Sequence, residues 1–324
     1  MLPLRKRILA ILGLAFGAPI CAEFLQAYLP STGDAPMLLL SLLILAPLYG
    51  GAALLIREVA VRRGLGWTGV LLLGAAFGLA MPGLVDLSLF TEDRADVSYW
   101  AEQRRATLVP GLGVAVFPMI SWVAGHVLMS VAAPLAVLDS LAPGHRGRPL
   151  LGRGGIVVTA VLAVAAALLI RSDAVVLSGE PGAARTAIVV VAVLALVILA
   201  LTPAGRRVVP GRGRPVPVWT VAVAGLLVMM SIDLLPATWL GAGLLSVLLI
   251  GAAAGLRWCS AVTAWSTRQV AALAAGALTG RTLIGLLAPV PDGVSVAAKL
   301  GQNVVLLAAV LGLAWLLVGR VSPA

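Results

Sequence analysis

Apolar residues run along this chain in long unbroken stretches, and polar residues collect in the short gaps between them. Ten stretches stand out: Ile8–Leu29, Pro36–Ile56, Trp67–Phe90, Gly113–Leu138, Gly155–Ile170, Ala187–Leu201, Val218–Leu235, Trp239–Leu256, Val270–Ala288 and Leu300–Val318. Most reach the roughly 20 residues that a helix needs to cross about 30 Å of hydrocarbon. The fifth and sixth are short and marginal. Period-two alternation is absent and the stretches are too long for barrel strands, so helices are the expected element. The pattern predicts an all-α protein, a polytopic transmembrane helical bundle of about ten spans. Residues 1–324 form a single integral membrane domain on this reading, with no soluble domain.

Composition sharpens the picture. Hydrophobic residues make up 61% of the chain and charged residues 11%, with a mean hydropathy of +1.08. Soluble domains sit near about 45–50% apolar and about 25% charged, which excludes one here. The formal net charge is +10. A nucleic-acid binder would cluster that charge on one face of a water-soluble domain. Here it lies in short loops, so no nucleic-acid partner is expected. With the N-terminus inside, the cytoplasmic segments hold 16 basic residues: Arg5, Lys6, Arg7, Arg57, Arg62, Arg63, Arg146, Arg148, Arg153, Arg206, Arg207, Arg212, Arg214, Arg257, Arg268 and Arg320. The outer segments hold six, namely Arg94, Arg104, Arg105, Arg171, Arg185 and Lys299. This asymmetry follows the positive-inside rule, puts both termini in the cytoplasm, and points to a bacterial plasma (inner) membrane with lipid as partner. Trp67, Trp219, Trp239, Trp258, Trp265 and Trp315 sit near span ends as an aromatic belt, and Trp122 is the exception. Gly13/Gly17, Gly74/Gly78, Gly251/Gly255 and Gly276/Gly280 have the spacing that lets helices approach closely.

Ionisable residues inside spans cost roughly 2.5–3.5 kcal/mol at mid-helix, so each is a candidate site. Arg281 is the strongest. It stands 11 residues into the ninth stretch, roughly 16 Å deep and near the midplane, where it needs a carboxylate, carbonyls or an anionic ligand. Asp233, Asp86 and Glu23 fall in the outer halves of their stretches and are its candidate partners. Gln302 and Asn303 open the tenth stretch on the same side, which suggests an outward-facing polar pocket. His126 lies within the fourth stretch with Trp122 and Ser130 on the same helix face, and Asp139 closes that stretch at the inner surface. Arg57 and Glu58 follow GAALLI at the inner interface. Either they cap a lipid-facing helix end, with Glu58 paired to Arg62 at i+4, or Arg57 turns inward toward a carboxylate such as Asp139.

The remaining motifs are mostly exclusions. Gly64-Leu65-Gly66-Trp67-Thr68-Gly69 matches a dinucleotide fingerprint, but it joins two membrane helices instead of following a strand, so it reads as a tight turn. Cys21 and Cys259 lie near opposite faces and cannot pair. Two His and two Cys supply no metal spacing, and no cofactor motif occurs. The first helix follows Leu4-Arg5-Lys6-Arg7 like a signal peptide, but a retained helix is the favoured reading.

At Trp122-Val123-Ala124-Gly125-His126, with GLAMPGLVDLSLF (Gly78 to Phe90) upstream, the chain resembles the CAAX-protease and bacteriocin-processing family of intramembrane enzymes. The resemblance covers roughly residues 50–134. It implies paired glutamates on one helix, followed by an arginine, an aromatic-x-x-x-His motif on a later helix, and a further His or Asn. Tyr49–Phe90 also resembles an uncharacterised group of bacterial multi-pass proteins in which Glu-Glu is expected where this chain has Met81-Pro82. Met and Pro cannot act as a general base, so a member of this kind would be catalytically dead or would use other residues. Three classes remain. One is a carrier or binder of a small anionic or amphipathic molecule, using Arg281 as counter-charge. Another is an enzyme using His126 with Asp86 or Asp139. The third is a structural or partner-binding membrane protein. The first is favoured, because no nucleophile–base pair is visible.

Overall fold

The structure is a computed structural model that describes residues 3–94, 97 and 99–319. Asp96 and Arg320 lie outside the described residues. Eleven helices follow in order: α1 (Leu4–Phe24), α2 (Ala35–Arg63), α3 (Trp67–Val85), α4 (Trp100–Arg105), α5 (Val116–Leu141), α6 (Arg153–Ser178), α7 (Ala183–Leu201), α8 (Val218–Leu234), α9 (Trp239–Val262), α10 (Thr267–Leu287) and α11 (Val296–Gly319). Among the described residues nine of these are long and apolar enough to cross a membrane. A tenth, α8, is apolar but only 17 residues long. The strands β1 (Leu108–Val109) and β2 (Val114–Ala115) form a small antiparallel hairpin between α4 and α5.

All ten expected spans are helices, but the marginal one is not where the sequence put it. The fifth stretch is the core of α6, which continues through Arg171 and Asp173 to Ser178 and is 26 residues long. Arg171, expected in a loop, stays helical because its guanidinium donates to the Leu84 carbonyl (2.7 Å) and pairs with Glu180. The sixth stretch is α7, whose mean hydropathy of 2.7 is the highest of the nine. The short span is the seventh, α8.

Local signals set the helix ends. Asp34 caps α2 by accepting from the Met37 amide at 3.0 Å. Ser266 and Gln269 form a reciprocal capping box on α10. Gly64 ends α2 in the left-handed region (φ 65°). The Gly66 amide then donates to the Gly205 carbonyl, so the glycine-rich run is indeed a turn between spans.

The connections separate into two ends. One, the basic end, gathers residues 64–66, 143–152, 203–214 and 263. It is held by Arg7 on the Leu150 carbonyl, a Leu65–Arg206 bridge and a Gly213–Thr263 bridge. The opposite end gathers residues 25–34, 86–94, 99–115, 179–182, 235–238 and 288–295.

Two buried cores meet along α5. Ala10, Leu14, Leu48, Leu54, Leu73, Val131 and Leu135 belong to the first, built mainly on α1, α2, α3 and one side of α5. Met129, Ala133, Met229, Leu245, Ala277 and Leu278 belong to the second, built on the other side of α5 with α8, α9 and α10. The α8–α10 pair is the closest-packed. A Cβ on Gly276 would lie 1.9 Å from the Ala222 carbonyl oxygen, so only glycine fits. Gly78 likewise lets α3 approach Val123 and His126 of α5. Gly13, Gly17, Gly251 and Gly255 meet nothing within 4 Å, so half of the small-residue motifs are not packing faces. α10 is the most enclosed span, at 61% buried, and α6 is the least, at 6%. The faces left bare are apolar and suit lipid.

Candidate functional site

Four spans leave α-helical register at one place each, over Ile20–Phe24, Ala46–Gly50, Met81–Val85 and His126–Ala132, and widen to π turns. The cause in the first three is proline. Pro19, Pro47 and Pro82 each lack the N–H that would close an α turn, and each ring crowds the carbonyl one turn back. Such widened turns collect at functional sites because they turn side chains out of the regular face and free backbone groups. Here they carry Glu23, Tyr49 and His126. The π turn of α5 packs against that of α1, against the α-helical part of α3 and against α10.

Glu23 is the centre of the resulting cluster. It is 9% exposed and stands where the first core reaches α5. Its carboxylate accepts the hydroxyls of Tyr28 and Tyr49, one on each oxygen. The Tyr49 ring stacks on His126 with centroids 5.8 Å apart, and Phe77 stands edge-on to both. His126 Nδ1 and Ser130 Oγ are 3.2 Å apart. The charges of Glu23 and Arg281 both reach the His126 ring, and those of Glu23, Arg281 and Asp86 reach Tyr28. Glu23, Asp86, His126 and Arg281 therefore share one electrostatic neighbourhood at the junction of the two cores, together with two tyrosines that sequence reasoning missed. A signal was present: the chain has only three tyrosines. Tyr49 stands in mid-span, away from the interfacial position where tyrosine is ordinary.

Arg281 requires a correction. α10 spans Thr267–Leu287, so Arg281 lies six residues from its opposite end. That is about 9 Å from the end, not the midplane. Its guanidinium is also already paired, with Nη1 3.1 Å from Asp233 Oδ2 near the end of α8. Its Nε is buried and lacks an acceptor among the described residues. Asp86 is corrected as well. α3 ends at Val85, which places Asp86 just beyond the span. Its carboxylate accepts from the Ser88 amide (2.9 Å) and hydroxyl. Burial pushes its carboxyl above the usual range, and the Ser88 bonds pull it back. The expected pairings of His126 with Asp86 or Asp139 do not form; the ring meets Ser130 instead.

A strap covers this end. Trp100 of α4 stacks on Trp122 of α5 at 5.4 Å, which explains why that tryptophan is not in a belt. Buried Arg104 donates to the carbonyls of Ser88, Leu89 and Gly113. Burial lowers its pKa, against the pull of Glu92. A 400 Å³ cavity opens between Tyr99, Gln103 and Ala237, and a 290 Å³ cavity between Phe90, Asp93 and Arg185. Neither is lined by Glu23, whose carboxylate is bonded by Tyr28 and Tyr49. Among the described residues two with a side chain stand in the left-handed region, Ala27 (φ 50°) and Leu87 (φ 58°), and they follow Glu23 and Asp86 closely. Such strain costs about 1–3 kcal/mol and persists only where surroundings impose it.

Lys299, expected among the charges of the outer loops, is a buried residue of α11, 2% exposed. Its ammonium donates to the carbonyls of Gly285 (2.8 Å), Ala27 (3.3 Å) and Gln26 (3.4 Å). Gln302, expected to line a pocket, is likewise engaged with Phe24 and Gly33, and the buried Asn303 amide donates to the Gly285 and Lys299 carbonyls.

At the basic end, Arg57 and Glu58 are both buried, so the reading as a lipid-facing helix end does not hold. Glu58 Oε1 accepts the amides of Leu150 (2.6 Å) and Leu151 (3.1 Å), and Oε2 meets Arg62 Nε at 3.1 Å. Arg57 donates to the carbonyls of His145 (2.6 Å) and Arg148 (3.1 Å). Its charge reaches Asp139 without a direct bond among the described residues. The pair is a clamp on the α5–α6 connection. It lies at the far end of the molecule from Glu23.

Among the described residues no three His, Cys, Asp or Glu side chains gather as a metal site requires. Both cysteines are free.

The fold and this cluster define a multi-pass helical membrane protein with a polar junction between two helical cores. The profile of an uncharacterized membrane protein family matches residues 12–322, and the chain belongs to that family. Nothing in that match links it to the intramembrane proteases. No curated protein and no solved structure matches the chain.

Proposed function

We propose that the protein binds, and carries across the bilayer, a small amphipathic molecule at the junction of α1, α2, α5 and α10. One observation carries this reading: Glu23 is a buried intramembrane carboxylate whose direct partners are two neutral hydroxyls. A carboxylate retained at such cost, without a structural cation on it among the described residues, is the kind of group that meets a ligand. The π turns and the left-handed residues beside it supply places where the packing can rearrange. Glu23 is the ligand's polar contact, and Arg281 and Asp233 form a paired gate nearer the end of the spans. The basic end faces the cytoplasm of a bacterial plasma membrane on this proposal, supported by the 16 to 6 distribution of basic residues.

The test is a thermal-shift panel of neutral, cationic and anionic amphiphiles on the purified full chain, repeated on a Glu23→Gln/Arg281→Ala double variant. Arg281→Ala is expected to accumulate, since the Asp233 pair is shallow and partly exposed. At least one compound should stabilise wild type and leave the double variant unmoved. A panel that shifts nothing, or shifts both proteins equally, refutes the site and leaves charges that only lock helices together.

A further inference from the structure

We infer that the ligand of this junction is a cation, an organic amphiphile whose positive group replaces the tyrosine hydroxyls on Glu23. The inference rests on the site proposed above and adds the sign of its charge. The fixed charges of the neighbourhood are the carboxylates of Glu23, Asp86 and Asp233, the guanidiniums of Arg281 and Arg94, and the ammonium of Lys299, which is engaged with the carbonyls of Gln26, Ala27 and Gly285. Arg281 is taken by Asp233 at 3.1 Å. The field of Arg94 reaches Asp86, which is also held by Ser88. That leaves Glu23 as the carboxylate whose charge no cation meets directly among the described residues. An anion arriving here would face that charge, and its natural partner is already paired.

The walls agree with the charge. Tyr28 and Tyr49 reach the carboxylate through their hydroxyls, and Phe77 stands edge-on to Tyr49 and His126 behind it. Aromatic side chains next to an acidic group offer an organic cation apolar surface to bury its hydrocarbon part against. The hydroxyls of Tyr28 and Tyr49 each donate to one oxygen of the carboxylate, and rotation of either side chain about Cα–Cβ would free that oxygen for the cation. The buried Arg281 Nε, which lacks an acceptor among the described residues, offers a place for one oxygen of the same ligand.

The experiment compares two ions of one shape and opposite sign, tetraphenylphosphonium and tetraphenylborate, by equilibrium binding to the purified full chain. Wild type should bind the phosphonium, and the borate should not compete for it. Glu23→Gln should weaken the phosphonium by about tenfold or more, the size of one lost desolvated charge contact. Tyr28→Phe removes a hydroxyl that competes for the carboxylate, so it should tighten binding a few-fold. That second variant decides the matter if Glu23→Gln does not fold: unchanged or weaker phosphonium binding in Tyr28→Phe then overturns the inference. Preference for the borate, or phosphonium binding undiminished in folded Glu23→Gln, also overturns it and leaves the site standing. If neither ion binds while a neutral amphiphile of the panel does, the cation inference falls alone. If nothing in the panel binds, the site falls with it.

Discussion

Glu58→Ala is the perturbation whose cost can be worked most directly from the geometry. Glu58 is 2% exposed. Removing its carboxylate leaves the Leu150 and Leu151 amides, now bonded at 2.6 and 3.1 Å, without an acceptor in a closed site. Each orphaned buried amide costs about 1–3 kcal/mol. Arg57 loses its nearest carboxylate at 3.8 Å but keeps two carbonyls, so its part of the loss lies at the low end for a broken buried pair. The two amides alone total about 2–6 kcal/mol, or at least about thirtyfold in the folding equilibrium, before any loss at Arg57. Arg62, whose side chain is 40% exposed, contributes about 1 kcal/mol or less through its ion pair. Glu58→Gln keeps the shape and one acceptor and should fall between. The assay is thermal or chemical unfolding in detergent, followed by a thiol-reactive dye on the partly buried Cys21 and Cys259. The expected order of loss is Glu58→Ala, then Glu58→Gln, then Arg62→Ala. A Glu58→Ala protein within about 1 kcal/mol of wild type, or an Arg62→Ala loss of equal size, refutes the clamp.

Two further outcomes follow from the opposite end. Lys299→Met removes the ammonium that ties Gln26, Ala27 and Gly285 together. Amide exchange at residues 25–28 and 285–288 should accelerate by about tenfold or more, and unchanged protection there would show that the carbonyls do not depend on the lysine. Asp86 gives a pH dependence of defined sign. Burial raises its folded pKa, so between the ordinary aspartate value and the raised one the folded protein keeps a proton that the unfolded chain has released. Stability therefore falls as pH rises through that window, and Asp86→Asn should flatten the slope. Parallel wild-type and variant profiles in a pH series of unfolding curves would remove burial as the cause.

The spans were legible because the physics that makes them is local. A run of about 20 apolar residues has to satisfy its own amides in lipid, and only a helix does so within one segment. The ten helices, their order and the turn at Gly64–Gly66 follow from that and from caps such as Asp34 and Ser266. Arg171 misled the length of α6 because its stabilising partners, the Leu84 carbonyl and Glu180, include one on another helix. The pairing of Arg281 was readable only as a choice among three carboxylates, since side-chain partners across spans depend on which helices are neighbours.

The sequence by itself determined the solvent of this protein, its helical class and the small set of polar residues that membrane burial makes expensive. Tertiary structure alone decided what each of them does. It closed Arg281 onto Asp233, turned Lys299 inward onto carbonyls, made Arg57 and Glu58 a clamp, and brought Tyr28, Tyr49 and His126 around Glu23. The physical reason is range. Backbone hydrogen bonding and hydropathy act within a segment of chain, whereas the partner of a buried charge is set by helix packing between segments far apart in sequence.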